Sequence, residues 1–423
     1  MNEREKNNGP CEGLNKVKRN HTFLTGIYMA INAISNSFLI MDGPDCAYKK
    51  IELFEKNHDY YSHIFRRDGK HKIGATITDV NHVIDDRHDQ IESLLLSVAS
   101  QDGAEVVFIS SEPMVMLTGI DYNMITASAQ KKTKIPIIPV PYKSLDLDWL
   151  DGYSSVMEAI ARKIDISNSE KKENTIAIVG YLFDRNEGDH VGNIMELKRM
   201  LEEISIDVSS IWLSGSNFNE LINIENAKVI VSMPYAGETS RILAEKTGAK
   251  VIDVNIPFGL SGTRDWFLKI ADEFGKKDSA EKLIKKEMDE ALPILEWIAP
   301  TFFQNKKYSI ISDPFFAEAI NKALNEIDMK MLQAIIYSTK SRKNNISFIE
   351  DNVLLFFELD DLDIYEGSDF IIGNSNCRIY FQETYVEIGF PSYGTHFLAT
   401  TPFLGIRGFL LFLNRMINDL KPD

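Results

Sequence analysis

Residues 228–254 read KVIVSMPYAGETSRILAEKTGAKVIDV, and their rhythm decides the fold. KVIVS is a short β-branched run, long enough for a buried strand and too short for a helix. Thr239–Thr247 follows as a helical segment, and KVIDV (Lys250–Val254) is a second strand that closes at Asn255-Ile256-Pro257. Upstream, Thr175–Gly180 (TIAIVG) is another such strand and Gly192–Ile204 (GNIMELKRMLEEI) another helix. Strands joined by crossovers of this length lie parallel in one sheet, with the helices packed on its faces.

The same alternation extends in both directions. Ser37–Met41 (SFLIM) ends abruptly at Asp42-Gly43-Pro44, and Val106–Ser110 (VVFIS) ends at Ser111-Glu112-Pro113. Between them, DQIESLLLSVAS (Asp89–Ser100) places Ile91, Leu94, Leu95 and Val98 on one helical face. Ile135–Val140 (IPIIPV) is a further strand whose prolines favour a sheet edge. The polar stretch Asp165–Asn174 is a linker candidate, and a charged helix, Ser279–Leu292, runs up to Pro293. Beyond it come Lys307–Ser312, the helix Phe316–Ile327, Val353–Glu358, Ser368–Gly373 and the closing apolar helix Gly405–Leu420. At roughly 150 residues per domain, 423 residues make about three domains. The expected division is an N-terminal extension (1–20) and Rossmann-like domains at 21–170, 171–290 and 291–423. The fold class is α/β with three parallel-sheet, Rossmann-like domains.

Composition excludes several classes of function. With 44% hydrophobic and 26% charged residues the chain is an ordinary globular protein. Its net charge of −16, with no basic face evident in the sequence, argues against nucleic acid as a partner. Three cysteines form no disulfide framework in a chain of this size and fit a reducing compartment, where thiols serve metal or redox chemistry. The first 20 residues lack a signal peptide's apolar stretch, and SFLIM and FLLFL fall far short of the ~20 residues of a membrane span. The expected location is the cytoplasm, without membrane association.

Familiar nucleotide fingerprints are absent: the chain has no GxGxxG after a strand, no GxxxxGK[ST] and no GxSxG. Ser214-Gly215-Ser216 reads as a strand-end turn before it reads as an anion site. His58 and His63, like His82 and His88, are spaced off a single helical face and fit surface positions better than zinc ligands. Asp85, Asp86 and Asp89 suit a solvated helix start.

The cysteines carry more information. Cys46 follows a strand in LIMDGPDCAYKK and Cys11 lies in NGPCEGL, both Gly/Pro contexts that bend the chain and free backbone amides to face sulfur. Iron–sulfur clusters are held in such surroundings, although two cysteines do not close a four-ligand site and buried Cys is often simple packing. Glu112 is a third candidate ligand, at the carboxyl end of a parallel strand where ligands collect in open α/β sheets. A buried carboxylate there needs a cation or hydrogen-bond donors.

In their order these pieces resemble the subunits of nitrogenase component 1 and their relatives, including the catalytic component of dark-operative protochlorophyllide reductase. That family places one cysteine in a Gly/Pro-rich N-terminal loop, a second after a strand ending Gly-Pro, and a third after Val-x-x-Ser-x-Cys-Pro. The corresponding positions here are Cys11, Cys46 and Glu112. KVIVSMPYAGETSRILAEKTGAKVIDVNIPFGLSGTRDWF, SDFIIGNSNCRIY and VEIGFPSYGTHFLATTPFLGIRGFLLFLNRMIND resemble the family's later segments, so the likeness runs from about Cys11 to Asn418. Departures are the short GPDC spacing, Glu112 in place of the third cysteine, and Ser232-Met233 near where a catalytic subunit carries its cofactor cysteine. An Asp ligand in one protochlorophyllide reductase subunit is a precedent for the carboxylate. Cys377 is a spare thiol, read as packing.

The resemblance implies three domains around a central cleft and an Fe–S cluster, 4Fe-4S or P-cluster-like, shared between subunits and held here by Cys11, Cys46 and Glu112. It implies as partners a homologous component 1 subunit and an ATP-dependent iron protein that delivers electrons for an unnamed substrate in the cleft. It assigns no catalytic residue. The rival reading is a non-catalytic partner or cofactor-assembly scaffold of the same family.

Overall fold

The computed structural model describes residues 22–45, 62–64, 71–78, 86–140, 142, 146–166, 170–182, 190–336, 338, 353–355, 367–378, 381–392, 395 and 398–420, with backbone alone at 353–355. Cys11 and Cys46 therefore lie outside the described residues.

The first unit comprises α1 (Phe23–Asn32), β1 (Ser37–Asp42), β2 (Ile73–Ala75), α2 (His88–Ala99), β3 (Val106–Ser111), α3 (Tyr122–Gln130), β4 (Ile137–Pro139) and α4 (Trp149–Lys163). Its sheet has the order β2-β1-β3-β4 with every pair parallel. The two-residue period of a strand divides the side chains between two cores. Ile40, Val107, Ile109 and Ile137 pack against Ile91, Leu95 and Ile125 of α2 and α3. Leu39, Met41, Val106 and Phe108 face the main core with α1 and α4. The proline-flanked β4 is an edge strand, as its sequence predicts.

Helices α1 and α4 approach at backbone distance because of two glycines. A Cβ on Gly26 would lie 1.7 Å from the carbonyl oxygen of Trp149, and one on Gly152 1.9 Å from that of Phe23. Helix α4 begins with a capping box between Asp148 and Asp151, which satisfies backbone N–H groups that a helix start leaves open.

The second unit holds β5 (Thr175–Val179), α5 (His190–Glu202), β6 (Asp207–Ile211), β7 (Val229–Ser232), α6 (Thr239–Thr247) and β8 (Lys250–Asp253), in the parallel order β6-β5-β7-β8. Two helices follow, α7 (Gly259–Glu273) and α8 (Lys277–Phe302). The third unit is β9 (Lys307–Ser312), α9 (Pro314–Asn325), β10 (Lys330–Ile336), β11 (Val353–Leu355), β12 (Phe370–Gly373), α10 (Ser375–Arg378), β13 (Thr384–Glu387) and α11 (Gly405–Asn418). Its parallel sheet runs β11-β10-β9-β12-β13. The fold is thus three Rossmann-like parallel sheets, of four, four and five strands.

The units are joined through shared core. Phe258, just before α7, stacks on Phe403 at 4.6 Å and meets Phe409 and Phe412 of α11 edge-on at 5.5 Å. Asn193 of α5 accepts hydrogen bonds from the backbone of Phe403 (2.6 Å) and Leu404 (2.8 Å).

One sequence expectation is corrected. Helix α8 does not stop at Pro293 but passes through it and Pro300 to Phe302. Pro293 sits on an exposed turn between buried Ala291 and Leu295. Water there can satisfy the carbonyl that loses its donor, while the buried face holds the helix together.

Candidate functional site

In an open parallel sheet, ligands gather at the carboxyl ends of the strands where the winding reverses. In the first sheet that point lies between β1 and β3, since β2 follows β1 on one side and β3 lies on the other. The register sets Asp42 opposite Ser111, so the next residues, Gly43 and Glu112, emerge side by side. The Glu112 N–H donates to the Asp42 carbonyl at 2.9 Å.

Glu112 is 4% exposed and its side chain lies across Gly43. A Cβ on Gly43 would sit 2.6 Å from Glu112 Cγ and 2.8 Å from its Cβ, closer than carbon atoms pack. The glycine is therefore what admits the carboxylate beside the Gly43-Pro44-Asp45 turn that leads to Cys46. Tyr142 shares this environment: burial pushes its phenol pKa up, and the negative charge of Glu112 pushes it further.

Beneath this turn Asp42 is fully buried and densely solvated by protein donors. Arg87 reaches Oδ1 at 2.6 Å and Oδ2 at 3.1 Å, Thr76 reaches Oδ1 at 2.7 Å, Thr78 reaches it at 3.2 Å, and the Tyr122 hydroxyl reaches Oδ2 at 2.5 Å. Burial alone would raise the Asp42 pKa, but the hydrogen bonds from Arg87, Tyr122 and Thr76 and the Arg87 charge outweigh it and hold the carboxyl below its usual range. The Tyr122 phenol is shifted the other way, first by burial and then by the Asp42 charge. The carboxylate thus fixes the loop after β2, the start of α2 and the start of α3 around the end of β1.

Large apolar side chains are exposed at this end of the sheet. Ile77 stands between the two threonines that bind Asp42, 59% exposed and with φ of 53°, a conformation that a β-branched residue strongly resists. After β3, the 3-10 turn Pro113–Thr118 leaves Leu117 89% exposed, with Met114 and Met116 also exposed beside it in sequence. Exposed large apolar side chains after two neighbouring loops at this end of the sheet make it a candidate interaction surface.

The other sequence candidates fall elsewhere. The Gly215 N–H donates to the Ala33 carbonyl at 2.7 Å, so the Ser214-Gly215-Ser216 turn ties the second sheet to α1. Asp86 binds His88 at an exposed position. Cys377 is fully buried in α10. At the winding reversal of the second sheet, Ser232 and Met233 are buried, and Gly180 packs so tightly on Met233–Ala236 that a Cβ there would lie 2.3 Å from the Ala236 nitrogen. Among the described residues there is no cluster of three or more His, Cys, Asp or Glu suited to a metal, and two of the three expected ligands lie outside them. No helix of the described residues is long and apolar enough to cross a membrane. The Asp42–Arg87–Tyr122 network was not foreseen; the one signal for it was an aspartate closing an otherwise apolar strand.

Comparisons with known proteins agree over most of the chain. Residues 23–421 match the family described as nitrogenase component 1 type oxidoreductase. The nitrogenase iron-molybdenum cofactor biosynthesis protein NifE of Clostridium pasteurianum is 21% identical over 374 residues, covering 84% of this chain and 77% of that protein. The nitrogenase molybdenum-iron protein beta chain of Bradyrhizobium diazoefficiens is 23% identical over 365 residues, covering 75% of this chain and 68% of that one. Among solved structures, nitrogenase Cp1 at pH 6.5 superposes with a TM-score of 0.78 at 15% identity, covering 93% of this chain and 91% of that chain. With the three parallel sheets and the order of motifs, these matches place the protein in the nitrogenase component 1 type oxidoreductase family.

Proposed function

We propose that the chain is a subunit of a nitrogenase-like oxidoreductase that receives electrons from an ATP-dependent iron protein through an Fe–S cluster at a subunit interface. The observation that carries this reading is the position of Glu112, a buried carboxylate laid over Gly43 at the mouth of the turn into Cys46. What supports a cluster here is that Gly43 carries no side chain to displace the buried Glu112 carboxylate, and that in the sequence Cys46 follows Gly43 by three residues. Cys11, Cys46 and Glu112 would hold the group, and the exposed Ile77 and Leu117 would be covered by the homologous subunit that shares it. When bound, the cluster would supply one-electron transfer; Cys11, Cys46 and Glu112 would be its ligands, and the Asp42–Arg87 pair holds the end of β1 from which Gly43 emerges.

A second reading, a cofactor-assembly or non-catalytic partner subunit, is favoured by the 84% coverage of this chain by a cofactor biosynthesis protein and by Ser232 and Met233 near where, by the family resemblance, a catalytic subunit carries its cofactor cysteine. Anaerobic purification with iron and sulfide analysis tests the shared core of both. Iron-bearing, oxygen-sensitive protein that loses its iron in Cys11→Ala and Cys46→Ala is the expected result; full iron in both variants overturns the cluster assignment. ATP-dependent reduction of the cluster by an iron protein, followed by turnover, separates the reductase from the scaffold.

A further inference from the structure

A cavity of about 410 Å³ opens between α7 and α9, beyond the carboxyl end of β8, within the size range of small-molecule sites. It lies at the edge of the second sheet and uses none of Cys11, Cys46 or Glu112. Helix α7 lines it with Gly262, Asp265, Trp266 and Lys269, and α9 with Phe315, Glu318, Ala319 and Lys322. Each set follows the spacing i, i+3, i+4, i+7, which is one continuous helix face.

The two helices are locked together beside the cavity. The carboxylate of Glu326 accepts hydrogen bonds from the backbone of Leu260 and Ser261 at 3.1 Å. Gly259 rests on Ala323, where an added Cβ would come within 2.4 Å. The walls are therefore rigid.

Gly262 has a different reason to be glycine. It lies inside α7, where glycine costs about 1 kcal/mol relative to alanine. Its φ is not in the left-handed region, and an added Cβ would meet nothing nearer than the Ile256 oxygen at 3.6 Å. Neither backbone geometry nor close packing calls for it. The missing side chain gives only volume, and Ala319 on the facing helix gives more.

The chemistry of the lining defines what fits. Val254, Ile256, Phe258, Trp266 and Phe315 form an apolar body. On the rim, Lys322 is engaged by Asp265 at 2.8 Å. Lys269 and Asp253 line the same cavity and have no ion pair among the described residues, with each other or with anything else. Opposite charges without an ion pair, lining the same largely apolar cavity, complement a small zwitterion with an apolar side chain. We propose that this cavity binds a free amino acid with an aromatic or large aliphatic side chain, its carboxylate met by Lys269 and its ammonium by Asp253.

Calorimetric titration of the full-length chain tests this with L-phenylalanine and L-leucine, alongside 3-phenylpropanoate, which lacks the ammonium, and 2-phenylethylamine, which lacks the carboxylate. At least one amino acid should bind, and each truncated analogue of phenylalanine should bind about tenfold or more weakly, a loss of about 1.4 kcal/mol. Lys269→Gln should weaken the amino acid and 3-phenylpropanoate while sparing 2-phenylethylamine, and Asp253→Asn should do the reverse. Gly262→Leu should fill the cavity and abolish binding without lowering the melting temperature. No binding of either amino acid at about 10 mM, beyond the weakest useful affinity, overturns the proposal, as do equal affinities for the zwitterion and both analogues or binding that survives Gly262→Leu. If that variant fails to fold, the opposed effects of the two charge variants decide alone.

Discussion

The Tyr235 hydroxyl donates a 2.9 Å hydrogen bond to Oδ1 of Asp313, joining the loop after β7 in the second sheet to the end of β9 in the third. The same oxygen accepts from the backbone N–H groups of Phe315 (2.9 Å) and Phe316 (3.1 Å) and so caps α9. Burial nonetheless dominates and raises the Asp313 pKa from 3.8 to about 6, against the hydrogen bonds that lower it. A group whose folded pKa is raised binds its proton more tightly in the native state. Its contribution is full below pH ~4 and is lost as pH rises through about 6, an order-of-magnitude loss of about 3 kcal/mol at ~1.4 kcal/mol per pKa unit. Asp313→Asn, which keeps a capping oxygen, should flatten this part of the stability profile. Denaturant unfolding from pH 4 to 7 checks it: parallel profiles for the native chain and the variant would contradict the assignment.

Asp42 has the opposite sign. Its folded pKa is depressed, so its contribution is present above the unfolded value and disappears as pH falls below about 4. Removing Arg87 leaves a buried carboxylate without its cation. Arg87→Met should cost about 3–5 kcal/mol, and Asp42→Leu in the same chain should recover part of it. Thermal unfolding of the single and double variants measures this coupling; additive losses would mean the two residues do not act as a pair.

At the α1–α4 crossing, Gly26→Ala and Gly152→Ala place a methyl within 2 Å of a backbone oxygen, which cannot swing aside as a side chain can. Each should destabilise by about 3 kcal/mol, the upper end for overpacking. Gly262→Ala, whose Cβ would make only an ordinary 3.6 Å contact with the Ile256 oxygen, should instead be neutral or stabilise by up to about 1 kcal/mol. Melting temperatures of the three variants give the comparison, and similar losses in all three would remove the distinction between crossing and cavity glycines.

Three of the four strands in each of the first two sheets are legible because buried parallel strands are nearly continuous runs of Val, Ile and Leu, as in VVFIS and TIAIVG; the three-residue β2 (Ile73–Ala75) and the polar β6 (Asp207–Ile211, DVSSI) carry no such run and are not. The third sheet was less so. KMLQAII (β10) was not read as a strand: it opens with Lys, has Gln at its centre, and follows the turn at Asp328, whose φ of 61° no glycine announces. Glu112 was legible as a strand-end carboxylate in a familiar order of motifs. That Gly43 exists to admit it was not, because their contact follows from the β1–β3 register. Asp42 with Arg87, and Gly26 with Trp149, are likewise pairings that only the tertiary fold creates.

The exposed apolar side chains at this end of the first sheet lead to an assembly prediction. Leu117 at 89% exposure and Ile77 at 59% follow β3 and β2, on either side of the β1 end where the proposed shared cluster would sit. Leu117→Asp should lower the self-association, or partner association, of the protein without changing its melting profile as a subunit. Light scattering after size exclusion reads the outcome, and an unchanged assembly would move the interface to another face.

Glu112 itself is tested most directly by its redox consequences. An anionic oxygen ligand is harder than sulfur and favours the oxidised cluster, so the native potential should lie lower than that of a thiolate-ligated variant. Glu112→Cys restores the family's third cysteine; it should keep its iron and shift the midpoint potential upward. Glu112→Ala should lose iron or alter the cluster's spectrum, since it removes the donor without substitute. The competing possibility is a carboxylate that only balances nearby charge, for which Glu112→Cys would cost stability through an unpaired buried group and leave the potential where it was. Gly43→Ala provides the geometric control: its methyl would press on Cβ and Cγ of Glu112 and displace the carboxylate without removing it. If Glu112 ligates the cluster, Gly43→Ala should shift the potential in the same direction as Glu112→Ala; if both variants keep full iron at the native potential, Glu112 is not part of the site.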